Sequence, residues 1–503
     1  MTIDLLNPAR RQWLSHAGAL GLGLASPALV GCAGVGPLAL AGIESPATLG
    51  DDTALLDDLE QRTLAYFWHT TDARSGLAPD RWPTPSFCSI AAVGFALSAA
   101  VIAVGRGQVS HEAARERALT AVRFFRDAPQ GPAARGVAGH RGFFYHFIDM
   151  ASGERFGDCE LSTVDTALLL AGLLHVAQFF GGNHSAEVEL RRGVETINER
   201  IDWRWAQRRP PSISHGWSPE LGFIPSDWKG YNEAMLVYLL ALGSPRSAAH
   251  RLGADAWAAW TSEYPRHWQT FHGQTYLHFA PLFGHQYTHC WVDFRGVHDA
   301  WLRQTRREVA GAAELDYFEV SRRATLAQRA YAQVNPLGWR GYGGDIWGIT
   351  ACDGPADVTR IYRGQPRRFI SYAGRGVGGH ETFDDGTLAP TAALASLPFA
   401  PEIVLPALRA LRQQYGAAIY GRFGFVDAFN PSFDFADVAL THGRLVPGLG
   451  WVDTDHLGID QGPIALMAAN ARRDEVWRSL RGCGALQQGL RAAGFNGGWL
   501  ERG

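Results

Sequence analysis

Of the 46 basic residues in this 503-residue chain only one, Lys229, is a lysine. The formal net charge of −3 argues against a nucleic-acid partner, and none is expected. Cysteine is scarce: six residues, widely scattered, with neither a CxxC pair nor the spacing of a disulfide framework. Beyond Cys32 they are Cys88, Cys159, Cys290, Cys352 and Cys483, expected to behave as small buried hydrophobes. No nucleotide fingerprint is present, because Gly341-Tyr-Gly343 and Arg375-Gly-Val-Gly378 lack both the Lys-Ser/Thr pair and the strand context. His285 and His289 have the i, i+4 spacing of a zinc-protease helix, but Gln286 stands where that motif needs Glu and the segment is predicted to be a loop. Neither a catalytic metal nor a cofactor is expected.

With 46% hydrophobic and 19% charged residues the chain can bury a large core, and its 17 tryptophans exceed what a core usually needs. Flat indoles that stack on sugar rings are one use for such a surplus. At the N-terminus Arg10-Arg11-Gln-Trp-Leu14 precedes an apolar run, Ala17 to Val30, too short and glycine-rich for a membrane span. Twin arginines before such a run are similar to a twin-arginine export signal, and Leu29-Val-Gly-Cys32 is similar to a lipobox. Residues 1–31 are therefore expected to be an export signal, Cys32 a lipidation site, and residues 32–50 a tether. The expected location is the cell envelope on the periplasmic side, with membrane contact through the lipid.

The folded part is expected to span 51–503 as a single unit. Helical periodicity runs over Leu55–Trp68, Cys88–Val104, Ala113–Arg126, Val164–Phe180, Ala186–Asp202, Asn232–Leu242, Ala254–Glu263, Ala324–Gln333, Thr391–Ser396, Glu402–Tyr415 and Gln461–Ala469. Ala91–Val104 and Thr166–Leu174 are apolar nearly all round, as in helices buried on both sides. Long loops rich in Gly, Trp, Tyr, Asp and His separate the helices, so an all-α toroid with functional loops on one face is predicted.

Two segments place carboxylates at the heads of apolar helices: Asp158-Cys-Glu160-Leu-Ser-Thr-Val-Asp165 and Trp228-Lys-Gly-Tyr231-Asn-Glu233. Unpaired N–H groups at a helix head can hold an acid in fixed geometry, and paired carboxyls are what glycoside hydrolysis needs. A plainer account competes with this. Ser162 and Asp165 have capping-box spacing, and Glu233 can simply complement the helix dipole. Glu160 is not needed for capping, and Asp158 beside it would raise its pKa as a general acid requires. Trp228 and Tyr231 flank the approach to Glu233 as candidate sugar platforms. Lys229 lies between them, either as a ligand or as a solvated side chain. His285, Arg295, Trp347, Asp353 and Tyr372 lie in other Gly-rich loops and are candidates for hydroxyl binding or subsite lining, Arg295 alternatively as a partner of Asp293 or Asp299.

Longer motifs extend the pattern: Glu160-Leu-Ser-Thr-Val-Asp165-Thr-Ala, Gly230-Tyr-Asn-Glu233-Ala-Met, His285 through Gly296, Ser321 through Arg329, Gly341 through Asp353, Asp385-Gly-Thr-Leu-Ala-Pro390, Pro398-Phe-Ala-Pro-Glu402 and Gly458-Ile-Asp460-Gln-Gly-Pro463. In this order they resemble the bacterial glucoamylase-like family that includes the endo-β-1,2-glucanases of glycoside hydrolase family 144. The resemblance implies an (α/α)6 barrel and an inverting, endo-acting attack on β-1,2-linked glucan. It puts Glu233 at the general acid and Glu160 at the acidic position that assists water, directly or through a sugar hydroxyl. Asp158 stands off the family spacing; Asp165, Asp385 and Asp460 remain alternatives for the second carboxyl, and Asp385 and Asp460 are also candidate substrate ligands. A monomer acting on a glucan or oligosaccharide is expected. Competing functions are a transglycosylase on the same glucan, a non-hydrolytic glucan-binding lipoprotein, which would have no need of two glutamates, and a polysaccharide lyase, whose anionic substrate and Tyr/His/Arg chemistry the carboxylate pair does not favour.

Overall fold

The computed structural model describes residues 52–245, 250–309, 312–378 and 382–501. The export signal, Cys32 and the tether lie outside the described residues. Two kinds of helix alternate along the chain. Ile90–Gly105, Thr163–Phe179, Met235–Leu242, Pro390–Leu394 and Gly458–Arg473 are buried on nearly every side. His111–Asp127, Ser185–Arg200, Pro401–Ile419 and Gly484–Ala492 bury one face only. The first kind has almost no charged residues, so nothing is lost by enclosing it; the second carries Arg and Glu on the face left to water.

The buried helices pack on one another. Ile90–Gly105 lies against both Thr163–Phe179 and Gly458–Arg473, and Thr163–Phe179 also meets Met235–Leu242. Glycine permits the close crossing of the first two: a Cβ on Gly172 would stand 2.1 Å from the carbonyl oxygen of Gly94. The main apolar cluster runs from Leu55 to Leu500, and two smaller ones gather around Trp339 and around Tyr331. No described helix is long and apolar enough to cross a membrane.

The helix-rich character expected from the sequence holds, but the chain is not purely α. The connections pair into short antiparallel strands, including a five-stranded sheet in the order Gly139–His140, Phe143–Tyr145, Leu161–Ser162, Gly216–Ser218 and Gly222–Phe223. These strands set the site's position, because three of them run straight into the heads of buried helices. Cys88–Ser89 pairs with Phe147–Ile148 and leads into Ile90, Leu161–Ser162 leads into Thr163, and His456–Leu457 pairs with Arg81–Trp82 and leads into Gly458. Ser89 and Ser162 then cap their helices, accepting from Ala92 N–H and Asp165 N–H.

Candidate active site

Carboxyl groups gather at these helix heads. Glu233 lies in the turn before Met235–Leu242, a helix that no side chain caps, and is 7% exposed. Its backbone carbonyl accepts from Thr288 Oγ1 at 3.2 Å, and the neighbouring Tyr287 hydroxyl donates to Ile459 O at 2.9 Å. The turn carrying Glu233 is thereby linked to the head of Gly458–Arg473, where Asp460 sits. Glu160 precedes the Leu161–Ser162 strand, its Oε1 3.0 Å from His146 Nδ1. The other ring nitrogen of His146 lies 3.6 Å from Asp165 Oδ2, so one buried histidine stands between two acids.

The region richest in acids surrounds Arg81. Its guanidinium donates to Asp353 Oδ2 at 2.6 Å and to Asp80 Oδ2 at 3.3 Å, and lies 3.7 Å from Asp455 Oδ2. Asp353 N–H donates to Asp427 Oδ2 at 2.7 Å, and Asp427 lies within hydrogen-bonding reach of Asp460. Burial pushes the Asp460 carboxyl up to about 7, with Asp353 and Asp80 adding to the rise. Burial, then the charges of Asp460 and Asp353, raise Asp427 well above the usual range; burial and Asp353 do the same to Asp453. Like charges this close cannot all ionise, and a proton is retained near neutral pH. Carboxylate oxygens of Asp353, Asp427 and Asp453 all lie within 4.8 Å of one another, a spacing that a divalent cation could bridge. The positive charge supplied there by the chain is Arg81.

This arrangement makes stability depend on pH. The folded state holds the Asp460 proton more tightly than an unfolded chain, whose aspartate carboxyl titrates at its ordinary 3.8. The contribution is complete below that value and lost as pH rises through about 7. Wild type is expected to lose more unfolding free energy than Asp460→Asn between about pH 5 and about pH 8 in urea titrations. Parallel pH profiles would show that Asp460 holds no such proton.

Other candidates lie elsewhere. Asp158 is two-thirds exposed and pairs with Arg135 at 3.2 Å, so the expected Asp158–Glu160 pairing is replaced by Glu160 with His146. Asp165 is not the cap: Ser162 is, its Oγ accepting from Asp165 N–H at 3.1 Å while its O–H donates to the Asp165 carboxylate at 2.5 Å. Trp228 and Tyr231 are not open platforms. Trp228 stacks on His215 at 3.7 Å and donates its indole N–H to Thr163 Oγ1; the Tyr231 hydroxyl bonds Ser321, and the ring packs near His285 and Tyr317. Each polar tip found a partner inside, which lets the aromatic body go into the core. Lys229 is exposed. Arg295 takes its structural alternative, clamped on Asp293 at 2.8 Å and lying over Trp477 at 4.4 Å. Asp385 is fully buried in a two-bonded pair with Arg375, with no exposure on either side chain.

His285 is fully buried, and burial, then His289 and His278, lowers its pKa well below the ordinary value. Neither of its ring nitrogens has a hydrogen-bond partner among the described residues, and the same holds for the Trp347 indole N–H. Tyr372 is half-buried on a short strand, directly opposite Asp353. The five cysteines among the described residues are buried free thiols.

The family model described as "Putative glucoamylase" matches residues 225–484, a segment that contains both Glu233 and Asp460. The chain belongs to this glycoamylase family. It is 26% identical over 471 residues to the exo beta-1,2-glucooligosaccharide sophorohydrolase (non-reducing end) of Parabacteroides distasonis, covering 87% of this chain and 57% of that protein. This chain thus spans little more than half the length of that curated relative. Among solved structures, a "putative glucoamylase" from Bacteroides uniformis superposes with a TM-score of 0.74 at 27% identity, covering 91% of this chain and all of that one. The endo-beta-1,2-glucanase from Chitinophaga pinensis, whose structure holds sophorotriose and glucose, superposes with a TM-score of 0.73 over 89% of this chain and 99% of its own, at 24% identity, and shows likeness of fold.

Within the glycoamylase fold, sequence inspection missed Arg81, His146, Asp427 and Asp453. Arg81 and His146 lie on or beside two- and three-residue strands, too short for any periodicity, and Asp427 and Asp453 stand in loops without a motif. One signal was available: aspartate is dense in the loops between Phe425 and Asp460.

Proposed function

We propose that the protein is a glycoside hydrolase that cleaves β-1,2-linked glucan from within the chain, with inversion at the anomeric carbon. The carrying observation is the buried Glu233 carboxyl at the head of an uncapped apolar helix, tied through Thr288 and Tyr287 to the helix that begins at Asp460. Family membership and the named activities of the relatives support the substrate. Alternation of enclosed and one-faced helices supports an (α/α)6 ring, with the helix heads forming one mouth.

In this reading Glu233 protonates the departing glycosidic oxygen. Glu160, oriented by His146, takes a proton from water or from a sugar hydroxyl that relays it. One observation favours a second acceptor, the Asp427–Asp460 pair, since a group titrating near 7 is well matched to proton transfer at neutral pH. Parallel Glu160→Gln and Asp427→Asn variants separate the two, because only the true acceptor's loss abolishes hydrolysis while binding persists. The function itself is tested by incubating the protein with linear β-1,2-glucan and recording fresh products by NMR. The α-anomer is expected first. Absence of cleavage would overturn the substrate assignment, and initial β-anomer would overturn inversion.

We further infer that Cys32 carries a lipid that holds the enzyme at the envelope membrane. Acyl chains contribute about 0.8 kcal/mol per buried CH₂, so Cys32→Ala should move the protein to the soluble fraction with activity unchanged. Continued membrane fractionation would reject the lipobox.

A further inference from the structure

A hairpin of unusual charge rises beside the acid cluster. Strands Val358–Tyr362 and Gln365–Phe369 form it, and residues 358–369 contain Arg360, Arg363, Arg367 and Arg368 with no acidic residue. Its base is set by the strand pair Ala351–Asp353 with Tyr372–Gly374, in which Asp353 faces Tyr372, so the hairpin grows out of the segment that supplies a buried acid to Arg81. Five residues per strand give a reach of about 16 Å beyond that base.

Arginines elsewhere in this protein mostly rest on carboxylates; three of these do not. Arg360 pairs with Asp437 at 3.2 Å, but Arg363, Arg367 and Arg368 have no ion pair among the described residues. Arg360 and Arg367 are directly opposed across the ladder, an arrangement of like charges that destabilises a hairpin by itself. The Arg367 Nε is buried without an acceptor among the described residues. Aromatic rings hold two of the guanidinium groups in place: Arg367 lies 5.5 Å from the Trp339 ring centre, Arg363 5.7 Å from that of Tyr362, and the Trp339 and Tyr362 rings meet at 4.9 Å. Guanidinium groups without a carboxylate partner among the described residues, two of them resting on aromatic rings, are suited to an anion arriving from outside, and they match carboxylate and phosphate oxygens in pairs.

We propose that the hairpin is a recognition arm for anionic substituents, carboxylate half-esters or phosphate esters, on the glucan bound at the candidate active site. This rests on the glycoside hydrolase reading above. Its attachment at Asp353 favours a substituted substrate over a membrane headgroup, because the arm adjoins the acids of the candidate active site.

The test compares kcat/KM on linear β-1,2-glucan and on the same polymer partly succinylated, for wild type and for Arg363→Gln/Arg368→Gln, which alters exposed side chains only, with Arg367→Gln added in a second variant. Wild type should prefer the succinylated polymer. The double variant should lose about tenfold on that polymer and less than about twofold on the neutral one, and high salt should erase the wild-type preference. Equal activity of wild type on both polymers, or equal losses by the variant on both, would overturn the proposal. So would hairpin-dependent binding to anionic phospholipid vesicles without any preference between the polymers. If wild type cuts neither polymer, the hydrolase reading fails and the arm's assignment falls with it; cleavage of the neutral polymer with no charge preference removes the arm alone.

Discussion

Glu233→Gln is expected to lower turnover of linear β-1,2-glucan by roughly 10²–10⁴-fold while thermal unfolding and glucan binding stay close to wild type. The amide preserves the size and most hydrogen-bonding capacity of the side chain but cannot donate the acidic proton. The local fold does not depend on that proton. The carbonyl of residue 233 accepts from Thr288 Oγ1 and from Leu236 N–H at 3.3 Å, and both bonds survive the exchange because they use the backbone. Turnover therefore reports the chemistry and the unfolding curve reports the structure. Turnover within about tenfold of wild type would remove Glu233 as the acid; a matching collapse of stability would make its role structural.

The largest loss of stability is expected from Arg375→Met. Arg375 and Asp385 are both fully enclosed, joined by bonds of 2.8 and 2.9 Å, and the same guanidinium donates to the carbonyls of Cys352 at 2.6 Å and Ile370 at 2.5 Å. Removing it leaves a buried carboxylate with its cation gone and two carbonyls without their donor, a change of about 3–5 kcal/mol for a broken buried pair. Asp385 must then either ionise in an apolar setting or take up a proton. The double variant Arg375→Met/Asp385→Leu should recover part of the loss, since it removes the orphaned charge. Equilibrium unfolding in urea checks both. A loss under about 1 kcal/mol for Arg375→Met would mean that water reaches the pair.

The Arg375–Asp385 pair also shows how a sequence motif can be visible while its role is not. Asp385-Gly-Thr-Leu-Ala-Pro390 stood out as a motif, and Asp385 was a candidate ligand and second carboxyl. Its partner, ten residues earlier, shares no local element with it, and only burial makes the pair structural. Helices were far easier. The predicted Leu55–Trp68, Ala113–Arg126 and Ala186–Asp202 fall within a few residues of Asp52–Thr70, His111–Asp127 and Ser185–Arg200. Ala300–Glu308, Glu475–Leu480 and Gly484–Ala492 were passed over because six to nine residues are shorter than the window over which helical periodicity is read, although the first and last are clearly amphipathic.

The sequence by itself determined which helices are enclosed and which face water, since the absence or presence of charged residues around a helix decides what burial would cost. It also determined the acidic residues at the helix heads, where N–H groups without partners favour them. The tertiary structure alone decided which acids share a proton and which are neutralised. Asp158 met Arg135 in water, Asp385 met Arg375 in the core, and Asp353, Asp427, Asp453 and Asp460 came together around Arg81 from segments up to about 380 residues apart. The energy of a carboxylate depends on the charges and solvent within a few ångströms of it, and those neighbours are fixed by packing across the fold.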